Sequence, residues 1–282
     1  MPHDLPLALE LSRVDFDPLT VSPTMIRLAA RSTEERSFAA MLSLATPIFR
    51  SHYLAAAAPH AGDWLSAVPN VAFGQALCSE EFRASVFLRL GVEQIAGESS
   101  IERVGYAGLR TGQRGWIHRH NVLRDVLHDV AKSADLAPHL ETRSLIRSSD
   151  DRPGDITIPL WSRNRPAALD VTVTSDLQNT PNPAVDVAAR DVRPEILERE
   201  RVKLLKFEER CAREGILFLP VVAHVLGGWN GDLMEVVHVL ATRAHPRMQL
   251  DRSAAVARIL TRLSVVLQRH NARLILAAPR HH

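Results

Sequence analysis

Lysine is nearly missing from this chain. Only three of its 34 basic residues are lysines, Lys132, Lys203 and Lys206, and the rest are arginines. Arginine keeps its proton in any protein, whereas a lysine ammonium is compact and its pKa can be moved. Two lysines three residues apart in so arginine-rich a chain therefore mark 203–206 as a place where ammonium chemistry is needed. A coding bias toward arginine is the plain alternative. Cysteine is also scarce. Cys78 and Cys211 alone make neither a disulfide framework nor a four-cysteine zinc site, and a reducing, intracellular setting is expected. No apolar run reaches the roughly 18 residues of a membrane span, so no membrane association is expected. Asp4, Glu10, Asp15 and Asp17 stand where a signal peptide would carry a basic start and an apolar run, so secretion is not expected. Nucleophile-elbow, P-loop, dinucleotide-binding and HExxH patterns are all missing. What remains is an ordinary globular composition: 282 residues, 46% hydrophobic, 23% charged, formal net charge +2. That suits one large domain or two small ones.

Residues 24–58 are rich in Ala, Leu and Met and read as helical. Ser79 is the expected N-cap of a helix with Phe82, Val86, Phe87 and Leu90 on its apolar face, ended by Gly91. Residues 92–117 hold five glycines and little periodicity, which places a domain boundary near 115. A mostly helical module, 1–115, then precedes a second domain, 116–282. In that domain Asn121 to Ala134 is an amphipathic helix with a stripe of Val122, Leu123, Val126, Leu127 and Val130. His139 to Ile146, Asp155 to Leu160 and Ala167 to Thr174 read as strands. Glu195 to Arg213 is a charged helix, and Ile216 to Val225 a strand apolar enough to be buried on both faces. Leu233 to Ala244 and Ser253 to Arg269 close the chain as helices. The order helix, three strands, helix, strand predicts an α/β fold, a mixed sheet with helices packed on it.

Alternation in the third strand sets Asp170, Thr172 and Thr174 against Leu169, Val171 and Val173. Asp155 opens the preceding strand, after Arg152-Pro153-Gly154. Carboxylates on adjacent strands can converge. Their repulsion is costly when buried unless a cation offsets it, and hard oxygen donors favour magnesium or manganese. Lys203 and Lys206, at i and i+3, share a face of the next helix. Carboxylates, a divalent ion and a lysine suit phosphodiester hydrolysis. The plain alternative makes Asp155 a turn residue, Asp170 a solvent-facing side chain, and Glu200 and Lys203 a surface ion pair worth under about 1 kcal/mol. His118, His120 and His128 suit a helix N-terminal or phosphate-contacting role better than a metal site. Cys78 and Cys211 are expected in the core. Arg110, Arg114 and Arg119, with Trp116 between, form a basic stretch that contacts phosphates or stacks on a base, or else a solvated linker.

This arrangement resembles the PD-(D/E)xK nuclease superfamily, with Arg152-Pro153-Gly154-Asp155 as its first motif and Leu169-Asp170-Val171-Thr172 as its second, 15 residues on. Thr172 stands where that family usually has lysine. In such cases the lysine can come from the following helix, which implies Lys203 or Lys206. The resemblance also suggests Glu141 as a further acidic metal ligand. More narrowly, residues 60–230 resemble the restriction-like endonuclease region of site-specific non-LTR retrotransposon polyproteins and of reverse-transcriptase-derived proteins. The likeness is carried by Ala61-Gly62-Asp63-Trp64-Leu65, Glu81-Phe82-Arg83, Arg89-Leu90-Gly91, His120-Asn121-Val122-Leu123-Arg124-Asp125, the two aspartate motifs, Lys203 through Cys211, and Gly227-Gly228-Trp229. It implies a restriction-endonuclease-like core, a metal-dependent endonuclease acting on DNA, magnesium or manganese as cofactor, and a homo-oligomer or polymerase as an open partner. Those proteins carry a Cys/His zinc knuckle before the His-Asn motif. Residues 92–117 hold neither Cys nor His, so no structural zinc is expected. No Tyr-x-Asp-Asp polymerase signature occurs, so the chain would be the nuclease part alone, as a fragment or a domesticated gene. Thr172 and the missing knuckle equally suit a nucleic-acid-binding or scaffold protein that kept the fold and lost activity.

Overall fold

A computed structural model describes residues 23–110, 113–146, 151–162, 165–175 and 194–279. Contacts divide the chain into Met1–Arg50 and Ser51–His282. Helix α1, Pro23–Leu44, belongs to the first unit. Helix α2, Pro47–Ala56, starts with proline at its first turn, where the missing N–H costs nothing.

The second unit is α/β. After α3 (Ser79–Leu90), α4 (Ala107–Arg110) and α5 (Gln113–Ser133) come β1 (His139–Leu140), β2 (Ile156–Ser162) and β3 (Arg165–Thr174). Then follow α6 (Pro194–Arg213), β4 (Leu217–His224), α7 (Gly231–Met248) and α8 (Arg252–Leu276). The sheet order is β1-β2-β3-β4. The first three strands are antiparallel neighbours, and β4 runs parallel to β3 after the α6 crossover.

Each face of β3 packs on different helices. Leu169 and Val171 join Ile156, Ile158, Leu219 and Val221 against the predicted α5 stripe, where Leu123, Val126, Leu127 and Val130 are buried, and against α7 and α8. Ala168, on the other face, packs with Phe218 and with Phe207 and Cys211 of α6. The edge of β4 is closed by the chain itself. Asn230 Oδ1 accepts from Val222 N–H (2.9 Å), and its amide donates to the Pro220 carbonyl (2.6 Å). The same Oδ1 accepts from Leu233 N–H, capping α7. Gly227 and Gly228, both at φ near +90°, turn the chain back for this.

Several expectations are corrected. The first strand has two residues rather than spanning His139 to Ile146, because Glu141 (φ 48°) and Ser144 (φ 57°) take left-handed conformations that no strand accepts. The glycines of 92–117 do not form a linker. A Cβ on Gly108 would lie 3.0 Å from the Ile275 Cα, so this segment seats closely on α8 and belongs with the sheet, not with a module ending at 115. In α3 the N-cap is Cys78, not Ser79. It is exposed and forms a capping box with Glu81. The buried face is Glu81, Ala84, Ser85 and Leu88, while Phe82 and Leu90 are exposed. Small side chains let α3 approach α8, and the Glu81 carboxylate is held by Arg273 (2.8 Å). Cys211 is in the core as expected. Among the described residues no helix is long and apolar enough to cross a membrane.

Candidate functional site

The site forms where the β2–β3 ladder ends. Ile156 pairs with Leu169 and Thr157 with Ala168, which brings Asp155 beside Asp170. Gly154 makes this approach possible: a Cβ there would lie 2.9 Å from the Leu169 carbonyl oxygen, closer than carbon tolerates. The Asp155 N–H donates to that same carbonyl (2.8 Å). Its carboxylate then does a backbone carbonyl's work, its Oδ2 accepting from Val171 N–H (2.7 Å).

Asp155 Oδ2 has a second partner, His120 Nε2, at 3.0 Å, and His120 Nδ1 lies 3.1 Å from Asn121 Oδ1. The carboxylate beside Nε2 favours the charged form of the ring. Its pKa is indeed raised, chiefly by the hydrogen bond to Asp155, against the opposing effect of burial. His120 sits at i−3 and i−7 from Leu123 and Leu127, so α5's buried stripe carries the imidazole inward.

Asp170 is buried on the α6 side of β3. Lys203 Nζ lies 2.7 Å from its Oδ2. The contact is an ion pair between an ammonium and a buried carboxylate. Burial raises the Asp170 pKa, Lys203 opposes the rise, and the charge on Asp155 adds to it. Lys203 is delivered by a stripe along α6 in which Ile196, Phe207 and Cys211 are buried and Glu200 and Lys203 half-buried.

No family model matches the chain, and no curated protein matches it either.

The site therefore stands on its own geometry. The structure brings Asp155, Asp170 and Lys203 to one place. Lys206 does not join them: it is exposed, with its ammonium 4.7 Å from the centre of the Phe207 ring. Glu141 comes near through its backbone, whose N–H donates to the Asp155 carbonyl (2.9 Å). Its carboxylate turns away to Arg124 (2.9 Å) and Arg152 (2.7 Å). Thr172 is half-buried on the Asp170 face. Of the basic stretch, two arginines are engaged within the protein. Arg119 is buried, bonded to Asn271 Oδ1 (3.0 Å), its pKa pushed down to about 10 by burial. Arg110 pairs with Glu102, Trp116 Nε1 donates to the Leu109 carbonyl, and the Arg114 side chain lies outside the described residues.

Two motifs far apart in sequence touch. A Cβ on Gly227 would lie 2.7 Å from the Ala61 Cα, and Trp64 N–H donates to Ser264 Oγ of α8 (3.2 Å). The Ala-Gly-Asp-Trp and Gly-Gly-Trp stretches thus brace one corner of the fold. The direct bond from His120 to Asp155 was missed. Its signal was the i, i+3, i+7 spacing onto the apolar stripe, which a histidine motif read in isolation hides.

A divalent ion fits the donor set in one respect: each aspartate has an oxygen, Oδ1, outside the contacts above. Among the described residues no three of His, Cys, Asp and Glu gather into a cage. A magnesium ion that keeps most of its water needs only one or two carboxylates.

Proposed function

We propose that this chain is a metal-dependent endonuclease that hydrolyses DNA phosphodiester bonds on a restriction-endonuclease-like core, related to the retrotransposon endonucleases it resembles. The observation that carries this is the Lys203–Asp170 contact of 2.7 Å. An ammonium from α6 stands at the aspartate whose own strand has Thr172 where lysine is usual. Asp155 and Asp170 would hold magnesium or manganese. When bound, such an ion activates a water and offsets charge on the phosphoryl oxygens.

Lys203 adds a fixed positive charge where negative charge grows as water attacks phosphorus. The pairing with Asp170 holds that ammonium in place before substrate arrives. His120 acts through Asp155 and is a positioning residue. Its hydrogen bond and that of Val171 N–H fix Oδ2 and leave Oδ1 for the ion.

One observation favours a second reading, a nucleic-acid-binding or scaffold protein that has lost catalysis. Both carboxylates already have internal partners, the His120 ring at Asp155 and the Lys203 ammonium at Asp170. A cleavage assay on supercoiled, linear and single-stranded DNA decides between the two, with magnesium, manganese or EDTA and with Asp170→Ala alongside. Metal-dependent cutting by the wild type and none by the variant supports the endonuclease. Equal cutting by the variant removes this site. Intact DNA binding with no cutting by either protein selects the scaffold.

A further inference from the structure

We propose that Arg124 and Arg152 form a phosphodiester-binding pair, which Glu141 occupies as a stand-in for the phosphate. The choice of DNA as the polymer rests on the endonuclease reading; the pair itself rests on separate contacts. Glu141 spans the two guanidinium groups with both oxygens, Oε1 to Arg124 Nη1 at 2.9 Å and Oε2 to Arg152 Nη1 at 2.7 Å. A phosphodiester also offers two terminal oxygens sharing one negative charge, and guanidinium binds carboxylate and phosphate by the same geometry.

Arg124 does not need Glu141 to stay aimed. Its Nε and Nη2 both donate to Asp125 Oδ1 (2.9 and 2.8 Å), which leaves Nη1 pointing at the bridge. Its side chain is 11% exposed, so it is largely fixed, whereas Glu141 is 49% and Arg152 42% exposed, within reach of a polymer. Water reaches Glu141 and Arg152 and screens their attraction, so a ligand can displace the carboxylate. The bridge also borders the candidate site. Glu141 N–H is bonded to the Asp155 carbonyl, and Arg124 lies one helical turn after His120.

The test measures binding of a short fluorescein-labelled DNA duplex across a salt series, in EDTA so that no metal-dependent cutting occurs. Glu141→Gln keeps the shape and removes the competing charge. It should bind several-fold more tightly, with a salt dependence steeper by about one phosphate contact. Arg152→Gln should bind several-fold more weakly, with a dependence shallower by about one. Unchanged melting temperatures show that both variants fold. If Glu141→Gln weakens binding, or leaves the salt dependence unchanged, the proposal is overturned. That result beside normal magnesium-dependent cutting by the wild type rejects the pair and leaves the endonuclease. Tighter binding by Glu141→Gln with no cutting by the wild type keeps the pair and rejects the endonuclease. No duplex binding by either protein rejects both.

Discussion

Removing the Lys203 ammonium while keeping its bulk, as in Lys203→Met, would leave the Asp170 carboxylate buried without its cation. Breaking a buried pair from one side costs roughly 3–5 kcal/mol, and breaking an exposed one about 0–1 kcal/mol. Here the side chains keep 25% and 10% of their exposure, so the pair lies between these limits. We expect a loss of about 2 kcal/mol near neutral pH. At about 2–4 °C per kcal/mol for a domain of this size, the melting point should fall by roughly 4–8 °C. The loss must depend on pH. Burial already holds the Asp170 pKa above the ordinary aspartate value of 3.8. A carboxyl whose folded pKa is raised contributes most stability below its unfolded pKa and loses it as pH rises through the folded one. Lys203→Met raises the folded pKa further. The penalty should be small in acid and grow to a plateau above the variant's own pKa. Thermal melts from acid to mildly alkaline pH measure this, with Asp170→Asn and the double variant completing a cycle. The double variant should recover most of the loss. A penalty independent of pH, or strictly additive variants, would refute the claim that these two groups compensate each other.

Four further outcomes are expected. His120→Ala should weaken manganese binding about tenfold, the usual effect of losing a group that orients a ligand, and His120→Gln, which can still donate to Asp155, should restore most of it. Paramagnetic resonance titration reads this, and wild-type affinity in His120→Ala would remove the positioning role. Because the His120 pKa is raised, its share of stability is present below the ordinary value of 6.5 and lost as pH rises through the folded one, so His120→Ala should cost less in alkali. Gly154→Ala forces a Cβ to 2.9 Å from the Leu169 carbonyl and should cost about 1–3 kcal/mol in chemical denaturation, with metal binding lost alongside. Asp232, in the first turn of α7, has its pKa pushed up to about 6 by burial and then by Glu200, Glu235 and Glu208. Asp232→Asn should therefore stabilise the fold by about 1 kcal/mol above that pH and by nothing in strong acid. An equal gain at both ends would show that its charge is irrelevant.

The parts legible in the sequence are those where one physical rule acts alone. The 3.6-residue stripe of α5 and the alternation in β3 each face a packed layer, so periodicity fixed what they bury. The scarcity of lysine pointed to α6, and Lys203 meets Asp170 there, while Lys206, three residues on, rotates out to solvent over Phe207. Misreadings came where long-range contacts override local pattern. Apolar residues on α3 look like a core stripe, but α8 demands close approach, so Ala84 and Ser85 take the inside and Phe82 stays out. Glycines between 97 and 115 look like a linker because sequence cannot distinguish a glycine that must bend from one that must touch. Glu141 looks like a strand residue with a free carboxylate. Its left-handed backbone and its two arginine partners, 17 residues before it and 11 after, have no local signature.

The Asn230 side chain has a consequence for how copies of this protein can meet. Exposed strand edges recruit strands from other molecules, which makes them routes to aggregation and to sheet-to-sheet dimers. Here the outer groups of Val222 and Pro220 are taken by one asparagine, and Ala223 bridges Trp229 in the same returning segment. At the opposite edge β1 offers only two residues. The β4 border therefore gives an incoming strand little template, whereas β1 covers only Ile156 and Thr157 of β2. A single change, Asn230→Ala, would reopen the β4 border that the chain otherwise keeps closed.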